Sequence, residues 1–572
     1  MSNSSFASIV ELLRANELGR WTRLDTPYGA RLICYADLTA SGRYLRFVER
    51  WIARVLPYYA NTHTAVASTG RILTELREEA RMRVAHAVGA GPEHVVVFTG
   101  SGATAATNKL VGLLGLRIPE PLERQFGLEA HIPDAERPVV FVGPFEHHSN
   151  YLPWLESIAK VVEIPTRADG CVDLDVLAAE LAAHRGHALM LGAFSAASNV
   201  TGVLVDTAPI ARLLHAAGGK LVVDFAAAGP YVPIRLAAED PAESIDAMVL
   251  SPHKFLGGPG SSGLLVAHRE LFRTRTPERP GGGTVDYVGA VDHETVDYVA
   301  DLAQREEGGT PAIVSDLRAG AAFLVKSLVG ADRIRAHEQQ LAARAVARLA
   351  AHPRIQVLGP LDADRLAIIS IVIEGQHHDF ASGLLDDLFG IQSRSGCACA
   401  GPYGHRLLGI DQARSDRVRA WVARGLAGLK PGWVRLSLPY YASDEDIEFL
   451  LEAVEFVAEH GTRFLVDYRF DWRTGVWRHK TRDTAGARPL ELSAASLAAE
   501  LHGEVPVVEE SPLDAAALAA ERAEYFAVAR REVAHLTAEE EAEPPRWNPS
   551  TGSADVDELV WFRYVDAEPL SC

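Results

Sequence analysis

The sequence predicts an α/β protein whose central sheet is mostly parallel and carries helices on both faces, with a smaller α+β domain and a C-terminal extension. Short β-branched runs alternate with helical stretches over residues 32–320, which is typical of parallel strands joined by crossover helices. Longer helical stretches with fewer strands follow over residues 321–460, and the composition changes again after residue 460. Because 572 residues exceed one hydrophobic core, we expect more than one domain.

Four parts are predicted: an N-terminal segment (1–31), a large domain (32–320), a small α+β domain (321–460) and an extension of unknown role (461–572). In the extension, FLVDYRF and GVWRHK around DWRTG predict a β-hairpin, and DAAALAAERAEYFAVARREVAHL predicts an amphipathic helix. The acidic stretch TAEEEAEPPRWNPSTGSAD, which contains three prolines, predicts a flexible segment.

The composition indicates which kinds of binding partner the protein can have. A formal net charge of −19 argues against a nucleic-acid or anionic-membrane surface, because those partners require clustered cationic side chains. The first residues do not show the basic stretch followed by an apolar stretch that is typical of a leader peptide. No apolar run reaches membrane-spanning length. Five cysteines, an odd number in a long chain, do not suggest a disulfide framework. We therefore expect a cytoplasmic protein that acts on a small molecule or another protein.

The ends of the predicted strands carry the most informative residues, because ligands of parallel sheets bind at the carboxyl ends of the strands. AMVLS at 247–251 runs into PHK, so Ser251, His253 and Lys254 follow a strand directly. A lysine amine can form a Schiff base with a carbonyl cofactor, and Ser251 and His253 could hold a phosphate. Asp224 ends KLVVDFA, where a carboxylate could pair with a pyridinium nitrogen. From these residues alone, a loop lysine and a helix-capping aspartate remain open alternatives.

Two further stretches suggest a bound aromatic phosphate. FTGSGATAATNKL predicts a glycine-containing turn before a helix, where the backbone around Gly102 and Thr104 could cradle an anion. Either His147 or His148 in FEHHSN could lie flat on an aromatic ring, or both could be ordinary core or surface histidines. Asn199 in SNVTG could donate to a phenolate-like oxygen or simply hold a turn.

SRSGCACAGPYG at 393–404 holds Cys397 and Cys399, two of the five cysteines. A disulfide between thiols so close in sequence would be strained, and no second Cys or His cluster has the spacing of a metal site. We therefore predict no metal. A reactive thiol on a loop is the remaining interpretation.

The motifs EHHSN, SNVTG, VVDFAA, SPHK, EEGGTP and RSGCAC, in this order, resemble the class V aminotransferases of fold type I, and most closely the cysteine desulfurase and selenocysteine lyase group. The resemblance extends over residues 35–460. It implies that pyridoxal 5'-phosphate (PLP) is the cofactor, bound covalently by Lys254, with Asp224 at its ring nitrogen, His147 on its ring and Asn199 beside its phenolic oxygen. The phosphate ligands that it implies are in the turn of Gly102, Ala103 and Thr104 and at Ser251 and His253.

The resemblance also implies residues for the substrate and for a second subunit. Arg435 and Arg394 match arginines that bind the substrate carboxylate, as a planar two-pronged donor can. Asp37 in YADLTASG, together with Asn61 and His63 in YYANTHT, resembles the N-terminal pocket segments of the family. Thr310 matches a threonine that reaches the phosphate in the neighbouring subunit, which implies a homodimer with shared sites.

The function implied by the resemblance is removal of sulfur or selenium from L-cysteine or L-selenocysteine, which yields L-alanine and a persulfide on Cys399. Lys254 would take the Cα proton, and a sulfur-acceptor protein is a possible partner. The sequence departs from the family at three places: Ala227 replaces a glutamine, Ala103 a threonine, and Cys397 with Ala398 a pair of histidines. The alternatives are a class V aminotransferase, lyase or epimerase without a cysteine nucleophile, and a sulfur-relay scaffold without enzymatic activity.

Overall fold

The computed structural model of the chain describes residues 6–64, 66–289, 295–481, 491–503, 510–568 and 570. Its N-terminal part contains one helix, a two-stranded hairpin and a short strand: α1 (Phe6–Asn16), β1 (Arg23–Thr26), β2 (Gly29–Leu32) and β3 (Cys34–Tyr35). Among the described residues, no helix combines the length and the apolar character needed to cross a membrane.

A seven-stranded sheet forms the centre of the large domain. Its strands are β4 (His94–Thr99), β5 (Val139–Val142), β6 (Lys160–Glu163), β7 (Met190–Ser195), β8 (Lys220–Asp224), β9 (Ala247–Leu250) and β10 (Gly263–His268). Their order across the sheet is β4-β10-β9-β8-β7-β5-β6. The pairs from β9 to β6 are parallel, and β10 is antiparallel to both of its neighbours. The predicted mostly parallel sheet is therefore confirmed.

Helices cover both faces of this sheet. Because side chains alternate along a strand, Leu221 and Val223 of β8 pack into one core while Val222 packs into another on the opposite face. The helices and the small peripheral hairpin of this part are α2 (Arg46–Val55), α3 (Ser68–Ala87), α4 (Gly102–Leu113), α5 (Glu120–Phe126), α6 (Leu152–Leu155), α7 (Leu174–Ala183), α8 (Thr207–Ala216), β11 (Val285–Val288), β12 (Val296–Tyr298), α9 (Leu302–Glu306) and α10 (Ile313–Val329).

A four-stranded antiparallel sheet of order β13-β14-β17-β16 organises the small α+β part. Short strand β15 pairs instead with β3 of the N-terminal part. The elements are α11 (Ala331–Ala350), β13 (Ile355–Val357), β14 (Ile368–Ile373), α12 (His378–Phe389), β15 (Ile391–Gln392), β16 (Arg394–Gly396), α13 (Gly401–Leu407), α14 (Gln412–Ala423), β17 (Trp433–Ser437) and α15 (Asp444–His460).

The extension packs against the small part rather than forming a core of its own. Its predicted hairpin is present as β18 (Tyr468–Phe470) and β19 (Trp477–His479), and β20 (Asp566–Ala567) joins β18. Its helices are α16 (Ala494–His502), α17 (Ala515–Ala542) and α18 (Ala554–Leu559). Phe470, Phe526 and Phe562 belong to the same core as Phe389 and Leu436 of the small part. The division at residue 460 stays a prediction, since side chains on both of its sides share this core.

The acidic stretch is predicted to be flexible, but its first residues, TAEEEA, are helical, so the prediction is wrong for them. The helix α17 continues through TAEEEA to Ala542, because alanine and glutamate have high helix propensity and Asp514 caps the helix N-terminus. A second helix, α18, begins at Ala554, where the Ser553 side chain accepts a hydrogen bond from the Val556 amide.

Candidate active site

A cavity of about 270 Å³ opens at the carboxyl ends of β7, β8 and β9. The N-terminus of α4 and the turn that follows β16 also line it. Eleven of the predicted site residues line this single cavity: Ala103, Thr104, His147, Asn199, Asp224, Ser251, His253, Lys254, Arg394, Cys399 and Arg435. Residues that lie far apart in the sequence are therefore brought together where a parallel sheet binds ligands.

Lys254 lines the cavity from the short 3₁₀ turn Pro252–Lys254 that follows β9. Burial lowers the pKa of its amine to about 8, against the opposing effect of the nearby Asp224 carboxylate. Asp224, at the end of β8, is only 4% exposed and accepts a hydrogen bond from the Ala226 amide at 2.7 Å. Burial raises the pKa of Asp224.

The turn between β4 and α4 forms a tight cradle. Gly102 has φ +59°, and a Cβ there would lie 2.6 Å from Ser251 Oγ and 2.7 Å from His253 Cε1, so the position requires glycine. Ser251 Oγ accepts a hydrogen bond from the Ala103 amide at 2.8 Å. Thr104 Oγ1 lies 2.6 Å from Ser149 Oγ. Hydroxyl groups and a helix N-terminus thus meet at one end of the cavity, which is a favourable place for a phosphate.

His147 lines the cavity with a neutral ring. Its Nδ1 accepts a hydrogen bond from the Ser149 amide at 3.1 Å, and burial lowers its pKa to about 3. The preceding residue, Glu146, is buried and accepts hydrogen bonds from Asn150 Nδ2 at 2.6 Å and from the Ser195 amide at 2.9 Å. These bonds fix the segment that carries His147 against the end of β7.

Two arginines converge on one carboxylate. Asp37 accepts hydrogen bonds from Arg435 Nη2 at 2.9 Å and from Arg394 Nε at 3.0 Å. Arg435 is only 4% exposed, and its Nη1 also donates to the Asn199 carbonyl at 3.1 Å. Burial lowers the pKa of Arg435, and Asp37 opposes this effect. The arginines predicted for a substrate carboxylate are therefore oriented by Asp37, from the YADLTASG segment near the N-terminus.

Cys399 lies in a turn that closes over the cavity. The Ala400 amide donates to the Cys397 carbonyl at 3.1 Å, while Ala398 and Cys399 have φ +48° and +56°. Positive φ at both central residues is a feature of type I′ turns, which normally contain asparagine and glycine, and left-handed backbone costs about 1–2 kcal/mol for each other residue. Cys399 is exposed and lines the cavity, whereas Cys397 packs against an apolar cluster beside it.

Four predicted residues do not line the cavity, and one of them, Gly102, lies in the turn beside it. Asn61, His63 and Thr310 are exposed on the surface of the chain. Their predicted roles stay predictions, and that of Thr310 concerns a neighbouring subunit.

Sequence reasoning assigned no site role to several residues that the structure brings to the cavity or its wall: Thr39, Glu146, Ser149 and Ser195. Of the two histidines that could lie flat on an aromatic ring, His147 lines the cavity and His148 does not. Ser195 ends strand β7 and could have been found by inspecting strand ends. For Glu146 and Ser149, the only available signal is adjacency to the histidine pair.

One group of side chains in the described residues has the composition of a metal site. The ligand atoms of His377, His378 and Asp379 lie within 4.8 Å of one another. Their ring nitrogens already have hydrogen-bond partners, since His377 Nδ1 accepts from the Asp379 amide and the Nε2 atoms contact the carbonyls of Gly428 and Lys430. The group therefore caps α12 and packs between the small part and the extension.

Comparison with known proteins agrees with this geometry. Residues 35–450 match the family model described as aminotransferase class-V, and these residues contain every predicted site residue. The chain belongs to the class-V aminotransferase family. Enzymes of this family depend on PLP and have fold type I, so the predicted fold, family and enzyme class are confirmed. Residues 451–572 lie outside the matched range.

Similar class-V proteins bear the name cysteine desulfurase. One from Dickeya dadantii (strain 3937) is 30% identical over 376 residues, which are 65% of this chain and 84% of that protein. A probable cysteine desulfurase from Halalkalibacterium halodurans is 29% identical over 387 residues, 66% of this chain and 87% of that protein. The apo structure of a cysteine desulfurase from Thermococcus onnurineus NA1 matches with a TM-score of 0.60 at 26% identity, covering 75% of this chain and 95% of that one.

Proposed function

We propose that the protein is a PLP-dependent cysteine desulfurase that acts in the cytoplasm. Its reaction would convert L-cysteine and the Cys399 thiol into L-alanine and a Cys399 persulfide, and L-selenocysteine is an alternative substrate. One observation carries the proposal: Cys399 and Lys254 line the same cavity, and the thiol is close enough to contribute to the electrostatic environment of the lysine amine. The names of the similar proteins support it.

The residues present fit PLP. The turn at Gly102, Ala103 and Thr104, with Ser251 and His253, offers a phosphate site at the N-terminus of α4. Asn199 Oδ1 and Arg435 Nε are buried without a hydrogen-bond partner among the described residues, as atoms that await a polar ligand would be. When bound, PLP supplies an electron sink for the negative charge that develops at the substrate Cα.

Side chains of the protein itself would transfer the proton, contact the cofactor and bind the substrate. Because the pKa of Lys254 is about 8, a large fraction of its amine is uncharged slightly above pH 7. The uncharged amine can take the Cα proton. Asp224 supplies a buried carboxylate for the ring nitrogen, and the neutral ring of His147 can stack on the cofactor. Arg435 and Arg394 offer donors for the substrate carboxylate.

Cys399 would complete the reaction as a nucleophile. Its thiolate forms a bond to the substrate sulfur as the bond between that sulfur and Cβ breaks, and the Cβ carbon takes up a proton to become the methyl group of alanine. The sulfur then passes to a small thiol or to an acceptor protein. The exposure of Cys399 is compatible with an acceptor that approaches from solvent.

We also propose a homodimer in which Thr310 completes the phosphate site of the neighbouring subunit and Asn61 and His63 lie near the shared entrance. All three residues are exposed in the single chain. Exposed Tyr58, Tyr59 and Val66 lie in the same part of the sequence as Asn61 and His63 and offer apolar surface for such a contact.

The test is alanine formation from L-cysteine and from L-selenocysteine by purified protein reconstituted with PLP. We expect Cys399→Ser to abolish alanine formation while the visible absorbance of bound PLP persists, and Lys254→Ala to abolish both. Cys171→Ser is the matched control, because Cys171 does not line the cavity. Alanine formation that survives in Cys399→Ser would contradict the desulfurase proposal and favour a class-V lyase or aminotransferase. Loss in Cys397→Ser alone would identify Cys397 as the reactive thiol.

A further inference from the structure

His148 contacts the cysteine turn through two different groups. Its backbone N–H donates to the Cys399 carbonyl at 2.9 Å, and its ring Nε2 accepts a hydrogen bond from the Gly401 amide at 3.2 Å. An Nε2 atom that accepts must belong to a neutral ring with its proton on Nδ1. Burial lowers the pKa of His148, which favours that neutral form. One residue thus holds the peptide groups on both sides of Ala400.

A third hydrogen bond reaches the turn from Asn199. Its Nδ2 donates to the Ala398 carbonyl at 2.7 Å. Each of these bonds joins the turn to a segment at the carboxyl end of a sheet strand, since His148 follows β5 and Asn199 follows β7. The position of Cys399 relative to Lys254 is therefore set by the central sheet as well as by the small part that carries the turn.

The backbone of the turn needs such support. Ala398 and Cys399 both have positive φ, which side chains with a Cβ disfavour, so the free segment would relax to negative φ values. Relaxation would rotate the Cys399 side chain away from its present position in the cavity wall. The hydrogen bonds from His148 and Asn199 oppose that change.

We propose that His148 is a positioning residue for Cys399: its ring holds the strained turn that presents the thiol to the cavity. The inference deepens the proposed function, and only the kinetic part of its test rests on that function. His148 lies beside His147 but does not line the cavity, so it acts on the thiol through the turn rather than on the substrate.

The test uses the full-length holoenzyme with His148→Ala. Hydrogen exchange of the peptide that contains residues 397–404 reports on the Gly401 amide, and we expect it to become about tenfold faster, as for the loss of one hydrogen bond. The kcat for alanine formation should fall by a similar factor while the KM for L-cysteine and the absorbance of bound PLP stay within about twofold of wild type.

Three further variants separate positioning from general destabilisation. His148→Gln keeps an acceptor at a similar reach, and we expect it to restore both readouts. Adding Ala398→Gly to His148→Ala removes the disfavoured Cβ at one positive-φ position and should recover part of the kcat. His352→Ala is the matched control, because His352 Nδ1 also accepts from a backbone amide, that of Arg354 at 3.2 Å, outside the cavity.

Unchanged exchange over residues 397–404 in His148→Ala would overturn the proposal. So would a loss of kcat that His148→Gln does not restore. If the wild-type protein forms no alanine from L-cysteine, the proposed function fails, and the exchange measurements on His148→Ala and His148→Gln alone then decide whether His148 holds the turn.

Discussion

At the scale of single residues, the environment of Lys254 determines its reactivity. Removing an ammonium group from water favours its neutral form, and Arg435 adds to this effect, while Asp224, Asp37 and Cys399 oppose it. The balance lowers the pKa to about 8 from the ordinary value of 10.5. A lysine with this pKa can act as a nucleophile and as a base near physiological pH.

The first prediction follows from that shift. Covalent attachment of PLP to the apoprotein requires the neutral amine, so the rate of attachment should rise with pH and level off above about 8. The growth of visible absorbance after mixing measures the rate at each pH. Lys254→Ala should give no such absorbance, and a midpoint near pH 10 in the wild type would contradict the proposed environment.

Asp37 gives the second prediction. Asp37→Asn removes the only charge that contacts both Arg435 and Arg394, and it leaves Arg435 buried without a counterion among the described residues. We expect the free energy of unfolding to fall by about 3 kcal/mol, as when one partner of a buried ion pair is removed, and the KM for L-cysteine to rise. Urea unfolding and steady-state kinetics measure these quantities. An unchanged KM would show that Asp37 does not orient the arginines.

At the scale of elements, the EEGGTP segment is tied to the large domain by buried ion pairs. Glu307 pairs with Arg77 and Arg81 of α3 and accepts a hydrogen bond from the Phe98 amide of β4 at 2.6 Å. Burial would raise the pKa of Glu307, but the two arginines outweigh it and lower the pKa. The segment that carries Thr310 is thereby fixed to the strand that leads into the Gly102 turn.

The third prediction concerns this link. Glu307→Gln leaves Arg81 without its buried counterion, so the free energy of unfolding should fall by about 3 kcal/mol. The affinity for PLP should fall as well, because β4 leads into the phosphate turn. Urea unfolding and PLP titration measure both effects. Glu79→Gln is the control, since Glu79 and Arg83 form an exposed pair that contributes less than about 1 kcal/mol; equal effects in the two variants would refute the role of Glu307.

At the scale of the whole molecule, the extension completes the core of the small part. The ring centroid of Phe526 in α17 lies 4.8 Å from that of Phe389 in α12 and 5.9 Å from that of Phe449 in α15. Arg522 of α17 and Arg20 of the N-terminal part both bind Asp446, at 2.7 and 2.9 Å. Three parts of the sequence thus meet at one buried carboxylate.

The fourth prediction tests this integration. Phe526→Ala should lower the free energy of unfolding by about 3–5 kcal/mol, as for other buried phenylalanines. Leu501→Ala in α16 is the control, because Leu501 is 83% exposed and its truncation should change stability by less than about 0.5 kcal/mol. Thermal and urea unfolding measure both variants. A change below 1 kcal/mol in Phe526→Ala would indicate that the extension is dispensable to the core.

The fifth prediction concerns the proposed homodimer. If Thr310 serves the neighbouring site, co-expressed Lys254→Ala and Thr310→Ala chains should form some heterodimers with one intact site, and alanine formation should return. Each variant expressed alone should have low activity, and sedimentation should give the mass of two chains. If the co-expressed chains form alanine no faster than the two variants expressed separately, Thr310 belongs to the site of its own chain.

The sequence by itself determined the sheet, the family and most of the cavity wall. Strand periodicity and polar residues at strand ends are local signals, so Asp224, Ser251 and Lys254 were candidates before any contact was known, and the ordered motifs gave them their roles. Ordered motifs added His147, Asn199 and Cys399.

Only the tertiary structure decided how these residues are held. The joint contact of Asp37 with two arginines, the clamp of His148 on the cysteine turn and the shared core of the extension all join residues distant in the chain. Such contacts depend on how separate elements pack, and neither spacing nor composition encodes them locally. The structure likewise set φ at Ala398 and Cys399, because surrounding hydrogen bonds there outweigh the local preference of the residues.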